Sequence, residues 1–434
     1  MKTEIEDISP VQKKLKVEVP ADIVQQARTL AIKQLQKEAK IEGFRVGKVP
    51  LDVIEKRFGR EIQQQTVENV VDQTLMHALD QTKTHPISRP EIAPGMFDTI
   101  GNFSYSATFD VLPELMLKEK DFKGLKLEKE ETKIEKEEME AELKRLQDAM
   151  TQLEPTVPET PFVEGFVATI DFTGLIDGKK FPGSDSKDYT VEIGTGAMLA
   201  DFEKELKGAK AGETREVRFH YPKDYFNKEL AGKEARFSVK VKDIRKKNVP
   251  VLNDDFAKDL GEYKTMHEVR ADLEKRMTAA KEGQQKGELY NQILKTLIEK
   301  TKFEIPDSLV RSELSHMLKD LAEEMKKRGQ KVEELKAAEV VKQFQPEAES
   351  RVRGFLILNQ IAKETALQIT EKEMDDRLAA IAKGLNRPVA EVKEHYEKNR
   401  LLGSLETRIL HEKALEFVLN EAKIKSVKPK KGSK

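Results

Sequence analysis

Residues 170–181 have the sequence IDFTGLIDGKKF, and this stretch carries the strongest fold signal in the chain. Ile170 and Phe172 alternate with polar residues, which is typical of a half-buried strand. Asp177-Gly178 follows as a hairpin signal, because a type I′ turn needs positive φ at both central positions. We therefore predict that the chain turns back here into a second, antiparallel strand.

The same alternation recurs further along the chain. It returns at residues 217–219 and at residues 237–241, and glycines separate the short apolar runs. Residues 161–246 are therefore predicted to form a small, mostly antiparallel β domain with one short helix near Met198–Leu206.

Residues 1–112 predict an α+β domain. Alternation at residues 15–19 and 103–111 indicates two strands, and apolar residues at helical spacing lie between them. Pro20 and Pro50 are placed to open helices, since the first helical turn does not need the missing N–H.

Residues 113–160 are predicted to be a connecting strand and helix. The stretch from Glu128 to Leu146 is dense in charge and keeps a helical spacing of apolar residues, which indicates a solvated helix ending before a proline cluster. Residues 247–434 show only helical patterns. From Lys423 the tail contains six lysines and no acid, and we expect it to fray.

Composition excludes several classes of protein. The 434 residues contain no cysteine, which rules out disulfides, cysteine-ligated metals and thiol catalysis. The net charge of −1 argues against a globally basic nucleic-acid coat. No metal spacing, P-loop or G-x-G-x-x-G is present, so we expect no metal, cofactor or nucleotide. No signal peptide or membrane-length apolar segment is visible, so we expect a cytoplasmic protein without a membrane partner.

Residues 43–50, GFRVGKVP, form a loop between two predicted helices. The chain from Arg28 to Arg60 contains nine basic and four acidic residues, although the whole protein is nearly neutral. This local excess favours docking on an anionic, RNA-rich surface. The alternative is an ordinary solvated helical hairpin whose Phe44 packs into its own core.

The pattern G-F-R-x-G-x-x-P in this position resembles the ribosome-binding signature of the bacterial trigger factor family. The resemblance implies docking on the large ribosomal subunit beside the polypeptide exit tunnel. Phe44, Arg45 and Lys48 would make the contacts, and Gly43, Gly47 and Pro50 would shape the loop.

The second segment resembles the FK506-binding-protein fold, whose members are prolyl isomerases. Two departures from that family are Pro182, where many members have an acid, and Phe202, where many have tryptophan; an altered isomerase activity could follow from them. Tyr221 is an alternative to Tyr225. The aromatic residues could also be simple β-domain core. The resemblance implies a pocket formed by Phe172, Phe181, Tyr189, Met198, Leu199, Phe202, Tyr225 and Phe237.

The helical segment resembles the trigger factor C-terminal region, whose arms and cradle hold unfolded chains. Methionines suit such a surface because they adapt to varied apolar partners, although for any single methionine a place in a helix–helix core is the simpler interpretation. The candidates are Met266, Met277, Met317, Met325 and Met374.

Together these resemblances predict an elongated, α+β multidomain protein with an N-terminal docking domain, an antiparallel β isomerase domain and an all-α C-terminal cradle. The implied function is an ATP-independent chaperone that shields nascent chains and isomerises X–Pro bonds. It would bind ribosomes and unfolded nascent polypeptides, and would form a homodimer off the ribosome. The alternative is a free prolyl isomerase whose helical region serves only dimerisation and substrate capture; a purely structural helical protein is a more distant one.

Overall fold

The computed structural model describes residues 1–42, 44–45, 47–98, 101–181, 183–193, 200–221, 230–330 and 337–427. The chain forms two compact units. One unit combines Met1–Glu131 with Gln285–Lys434, and the other contains Thr132–Gln284. The first unit is therefore built from both ends of the chain.

The N-terminal part of the first unit is an antiparallel sheet packed against helices. The predicted alternation is confirmed, because Leu15, Val17 and Val19 are buried against Phe103 and Tyr105 of the neighbouring strand. The sheet order is β1-β2-β4-β3. The elements are β1 (Lys2–Ser9), β2 (Gln12–Val19), α1 (Ala21–Glu38), α2 (Leu51–Arg57), α3 (Gly59–Gln81), β3 (Glu91–Phe97) and β4 (Phe103–Asp110).

The remainder of the first unit is mainly helical. Its largest core joins the C-terminal half of α8 to α10 and α13, and the segment from Leu117 to Leu127 contributes side chains to that core. The elements are α4 (Glu119–Phe122), β5 (Lys126–Glu130), the part of α8 (Met266–Lys300) from Gln285 onward, α9 (Asp307–Lys327), α10 (Ala337–Glu364), α11 (Glu371–Leu385), α12 (Val389–Lys398), α13 (Leu402–Asn420) and β11 (Lys423–Val427).

Two predictions about charged segments are wrong. The lysine-rich tail does not fray over Lys423–Val427, because β11 pairs in parallel with β5. The stretch from Glu128 to Leu146 is not one helix, since β5 continues to Glu130 and α5 begins at Lys136. The physical reason is backbone pairing supported by the burial of Leu127, which a count of charges does not reveal.

The second unit contains the predicted antiparallel β domain. Asp177 and Gly178 both have positive φ, and Ile176 pairs with Lys179, so the expected hairpin turn is confirmed. The strand order is β6-β10-β7-β8, and β9 also pairs with β10. The elements are α5 (Lys136–Ala149), β6 (Gln152–Pro155), β7 (Phe166–Leu175), β8 (Asp185–Glu192), α6 (Ala200–Leu206), β9 (Thr214–His220), β10 (Glu234–Asn248) and α7 (Asp254–Leu260).

Candidate functional site: a basic loop and an aromatic cluster

The loop between α1 and α2 presents an aromatic side chain to solvent. Phe44 is 42% exposed and stands outside the small core beneath the loop. Arg45 and Lys48 are also exposed. The alternative in which Phe44 packs into its own core is therefore wrong. The core beneath the loop consists of Ile32, Ala39, Ile41, Val49, Ile54 and Ile62.

Local hydrogen bonds fix the shape of this loop. The side-chain amide of Gln36 on α1 donates to the Val49 carbonyl oxygen at 2.6 Å. Gly47 has a φ of +78°, a conformation that glycine adopts without steric strain. Pro50 directly precedes α2. Gly43 lies outside the described residues.

The surface around the loop carries unpaired positive charge. All nine basic side chains between Arg28 and Arg60 are exposed. Elsewhere the structure pairs many of its cations, with salt bridges such as Lys13–Asp7 and Arg270–Glu140. No salt bridge is found for any of these nine, all of which belong to the described part of the chain. They are Arg28, Lys33, Lys37, Lys40, Arg45, Lys48, Lys56, Arg57 and Arg60.

A cluster of aromatic rings occupies one face of the β domain. Phe237 on β10 is its centre, with ring centroids 5.1 Å from Phe202, 6.1 Å from Phe172 and 6.1 Å from Phe181. All three contacts are edge-on, the arrangement that the charge distribution of aromatic rings favours. Four of the predicted pocket residues are thus brought together.

The remaining predicted residues divide into two groups. Tyr189 contacts Phe172 edge-on at 5.7 Å and is 42% exposed, so it lies at the rim. Met198, Leu199 and Tyr225 lie outside the described residues, as does Pro182. Tyr221, the alternative to Tyr225, is buried and contacts Phe181 at 6.5 Å.

Burial increases from the rim of the cluster to its centre. Phe172 and Phe181 are half-buried, whereas Phe202 and Phe237 are buried. The cluster is thus an apolar surface in which the two buried rings form the floor and the two half-buried rings form accessible walls. The sequence analysis missed Gly174, which lies opposite Phe237 in the β7–β10 pair. Its signal was a glycine within a strand, which often marks a close approach.

Polar contacts join the middle of β7 to β8 and β10 beside this cluster. The Asp188 N–H donates to Asp171 Oδ1 at 2.8 Å, and Lys242 forms ion pairs with both carboxylates. The hydrogen bond from Lys242 to Asp188 raises the pKa of this lysine. Asp171 and Asp188 directly precede Phe172 and Tyr189 in the sequence, so these contacts tie together the backbone segments that carry both rings.

Comparison with known proteins identifies the family. Two bacterial trigger factor family models match residues 1–146 and 265–420, and a model of FKBP-type peptidyl-prolyl cis–trans isomerases matches residues 159–242. The trigger factor of Geotalea daltonii is 33% identical over 433 residues, which covers 99% of both chains. This chain belongs to the trigger factor family.

Other relatives and a solved structure agree with the trigger factor assignment. The trigger factor of Halothermothrix orenii is 34% identical and covers 96% of this chain and 99% of its own. A solved trigger factor structure, described in terms of promiscuous substrate recognition in folding and assembly, aligns with a TM-score of 0.57 at 20% identity. It covers 97% of this chain and 100% of its own, which supports the fold.

Membership of the trigger factor family settles two functional points. The chain is a ribosome-associated chaperone that interacts with nascent chains, and it carries an FKBP-type peptidyl-prolyl cis–trans isomerase domain. Within the described residues, no helix is both long and apolar enough to cross a membrane.

The five candidate methionines of this trigger factor do not form an open surface. Met317 is buried in the core between α9 and α10, and the other four are half-buried. Among the described residues, Met76, Met96 and Met116 are the most exposed methionines, and the helical pattern did not single them out. The alternative of a helix–helix core is confirmed for Met317, and Met266 and Met374 also pack against buried helical cores.

Proposed function

We propose that residues 43–50 dock this chaperone on the large ribosomal subunit beside the polypeptide exit tunnel. Phe44, Arg45 and Lys48 make the contacts in this proposal. Gly43, Gly47 and Pro50 give the loop the shape that presents them.

One observation supports this role above the others. An exposed aromatic ring lies among nine exposed cations that have no acidic partner in the described chain. Ribosomal surfaces are rich in RNA phosphates, and neutralising phosphates with Lys and Arg releases counterions and so strengthens binding. Phe44 adds an apolar contact that pure charge attraction lacks. Many other cations in this protein form salt bridges with acidic side chains. The lack of acidic partners for these nine cations in the described chain is therefore specific to this surface.

We also propose that the aromatic cluster is the isomerase site. Rotation about an X–Pro bond meets a barrier of ~18–20 kcal/mol, because amide resonance must be lost in the twisted state. The twisted amide is less polar than the planar one, so a dry aromatic pocket stabilises the transition state more than the ground state. Such catalysis needs no acid, base or metal. The residues assigned to it are Phe172, Phe181, Tyr189, Met198, Leu199, Phe202, Tyr225 and Phe237.

The proposal includes five further points about the protein. It acts in the cytoplasm, without nucleotide, and forms a homodimer when no ribosome is bound. Its clients are unfolded nascent polypeptides. The proposed domain limits are residues 1–112, 113–160, 161–246 and 247–434. The lack of a P-loop supports the statement on nucleotide.

Co-sedimentation with purified ribosomes tests the docking proposal. The test variant replaces Phe44, Arg45 and Lys48 with alanine, and we expect it to lose ribosome binding. The matched control replaces Phe355, Lys383 and Arg387, which are the same residue types exposed on the helical region. We expect the control to bind like the wild type. Equal binding by both variants would contradict the assignment of the loop.

A further inference from the structure

Strand β11 has one paired edge and one open edge. At its two ends, the Lys423 N–H donates to the Leu125 oxygen at 2.8 Å, and the Val427 oxygen accepts from the Glu131 N–H at 3.2 Å. Backbone groups along a strand alternate between its edges. The N–H and C=O groups of Ile424 and Ser426 therefore face away from β5.

The opposite edge of this two-stranded sheet is closed by helix α8. Gln292 accepts a hydrogen bond from the Glu128 N–H and donates one to the Glu128 oxygen, both at 2.9 Å. Gln285, two helical turns earlier, donates to the Glu130 oxygen. These two glutamines pair with β5 as a neighbouring strand would. No such cover exists for the outer groups of Ile424 and Ser426 among the described residues.

The two faces of β11 differ in chemistry. Ile424 pairs with Leu127, which is 1% exposed in the helical core, whereas Ile424 itself is 46% exposed. The opposite face carries Lys423 and Lys425, both exposed, and then Val427, which is half-buried. The strand contains no acid. A further strand on the open edge would therefore have Ile424 and Ser426 as neighbours on one face and the two lysines as neighbours on the other.

We propose that the open edge of β11 is a strand-addition site for an extended client segment in which apolar and acidic residues alternate. This inference rests on the proposed capture of unfolded nascent chains. Main-chain hydrogen bonds to Ile424 and Ser426 bind the segment with little regard to sequence, and the side-chain pattern adds selectivity. The apolar residues extend the core beyond Ile424, and the acids lie beside Lys423 and Lys425.

The charge of the strand also excludes a second copy of β11 as the occupant. Two copies would bring lysines directly opposite lysines, and like charges in cross-strand pairs destabilise a sheet. Lysines on an edge strand are a common protection against pairing between identical edges. The same lysines attract a strand of opposite charge.

A fluorescein-labelled peptide of alternating glutamate and valine is the probe, titrated with the full-length protein and followed by fluorescence anisotropy. The variant Ser426→Pro removes an outward N–H but no hydrogen bond to β5, and Ser426→Ala is its matched control. We expect Ser426→Pro to bind the peptide at least about tenfold more weakly than Ser426→Ala, since main-chain hydrogen bonds and close approach are both lost. Equal binding by the two variants would overturn the proposal, as would a wild type that does not bind the peptide.

A second measurement holds even if Ser426→Pro misfolds. The same peptide with N-methyl groups on alternate residues cannot form the main-chain hydrogen bonds of a sheet. Wild-type protein should therefore not bind the methylated peptide, and undiminished binding would overturn strand addition. A lysine–valine peptide should bind at least about tenfold more weakly than the glutamate–valine peptide, and equal affinity would overturn the charge selection.

Ribosome co-sedimentation of the wild type is recorded in parallel. A protein that binds ribosomes but not the peptide refutes the strand site alone, whereas the reverse result refutes only the docking proposal.

Discussion

Gly174 and Phe237 face each other across β7 and β10, and the phenyl ring lies directly over the glycine. A Cβ built on Gly174 would be 2.3 Å from Cε1 and 2.6 Å from Cδ1 of the ring. No side chain fits in that space. The absence of a side chain at Gly174 thus sets the position of the ring at the centre of the aromatic cluster.

Gly174→Ala should displace Phe237 and weaken the isomerase. We expect a loss of about 1–3 kcal/mol in unfolding free energy from overpacking. The kcat/KM for a proline-containing peptide should fall at least about tenfold, because the central ring moves. Gly283→Ala is the control, since Gly283 lies exposed in a helix with nothing within 4 Å of a new Cβ. Unchanged activity in Gly174→Ala would contradict the central role of the ring.

Replacing a wall of the aromatic cluster and replacing its floor should have separable effects. Phe172→Ala should reduce isomerase activity strongly but destabilise the domain by only about 1–2 kcal/mol, because its ring is half-buried. Phe237→Ala should cost about 3–5 kcal/mol as well as activity. Chemical denaturation and a coupled isomerisation assay measure the two quantities. If Phe172→Ala kept full activity, Phe172 would be core rather than site.

Asp110 links the N-terminal sheet to helix α9. Its buried carboxylate accepts the Ser308 N–H at 3.0 Å, in the first turn of that helix. The Ser308 hydroxyl, by contrast, is buried without a partner. Asp110→Ala should therefore lower the unfolding free energy by about 1–3 kcal/mol, whereas Ser308→Ala should be neutral or stabilise by up to about 1 kcal/mol. Urea denaturation followed by circular dichroism compares them, and equal losses would refute the argument.

Glu373 gives the helical region a predictable response to acid. Hydrogen bonds from Lys413 and from the backbone and side chain of Thr370 lower the pKa of this carboxyl from 4.5 to about 2. The charged form is favoured by the fold, so its contribution to stability is complete above pH 4.5 and is lost as the pH falls toward 2. Glu373→Gln should flatten the pH dependence of thermal unfolding in this window. Glu371→Gln, a neighbouring exposed acid, serves as the control and should leave it unchanged.

Sequence patterns predicted elements whose signals are local. Residues 170–181 indicated the hairpin because its turn and its alternation are contiguous in the sequence. Residues 43–50 indicated the basic loop because its motif is also contiguous in the sequence. The exposure of Phe44 could not be predicted, since a ring next to a glycine fits either a core or a surface. The role of Gly174 in the aromatic cluster could not be predicted, because it depends on the pairing of β7 with β10.

The pairing of β5 with β11 lay beyond sequence reasoning for a different reason. Both strands are short and charged, with lysine and glutamate in β5 and lysine alone in β11, so composition indicates solvated chain. Their stability comes from Gln292 and Gln285 on α8 and from one buried side chain, Leu127. None of these contacts is visible as a periodicity.

The first unit is built from both ends of the chain, and this affects the protein during its own synthesis. Leu127 emerges from the ribosome roughly 300 residues before its partner Ile424, a delay of on the order of 15–60 s at ordinary rates of translation. During that interval the apolar segment from Leu117 to Leu127 has no completed core, whereas all of residues 132–284 are synthesised within it. For most of its own synthesis, this chaperone therefore lacks a completed core in its first unit. It is then itself a nascent chain that a finished copy could bind.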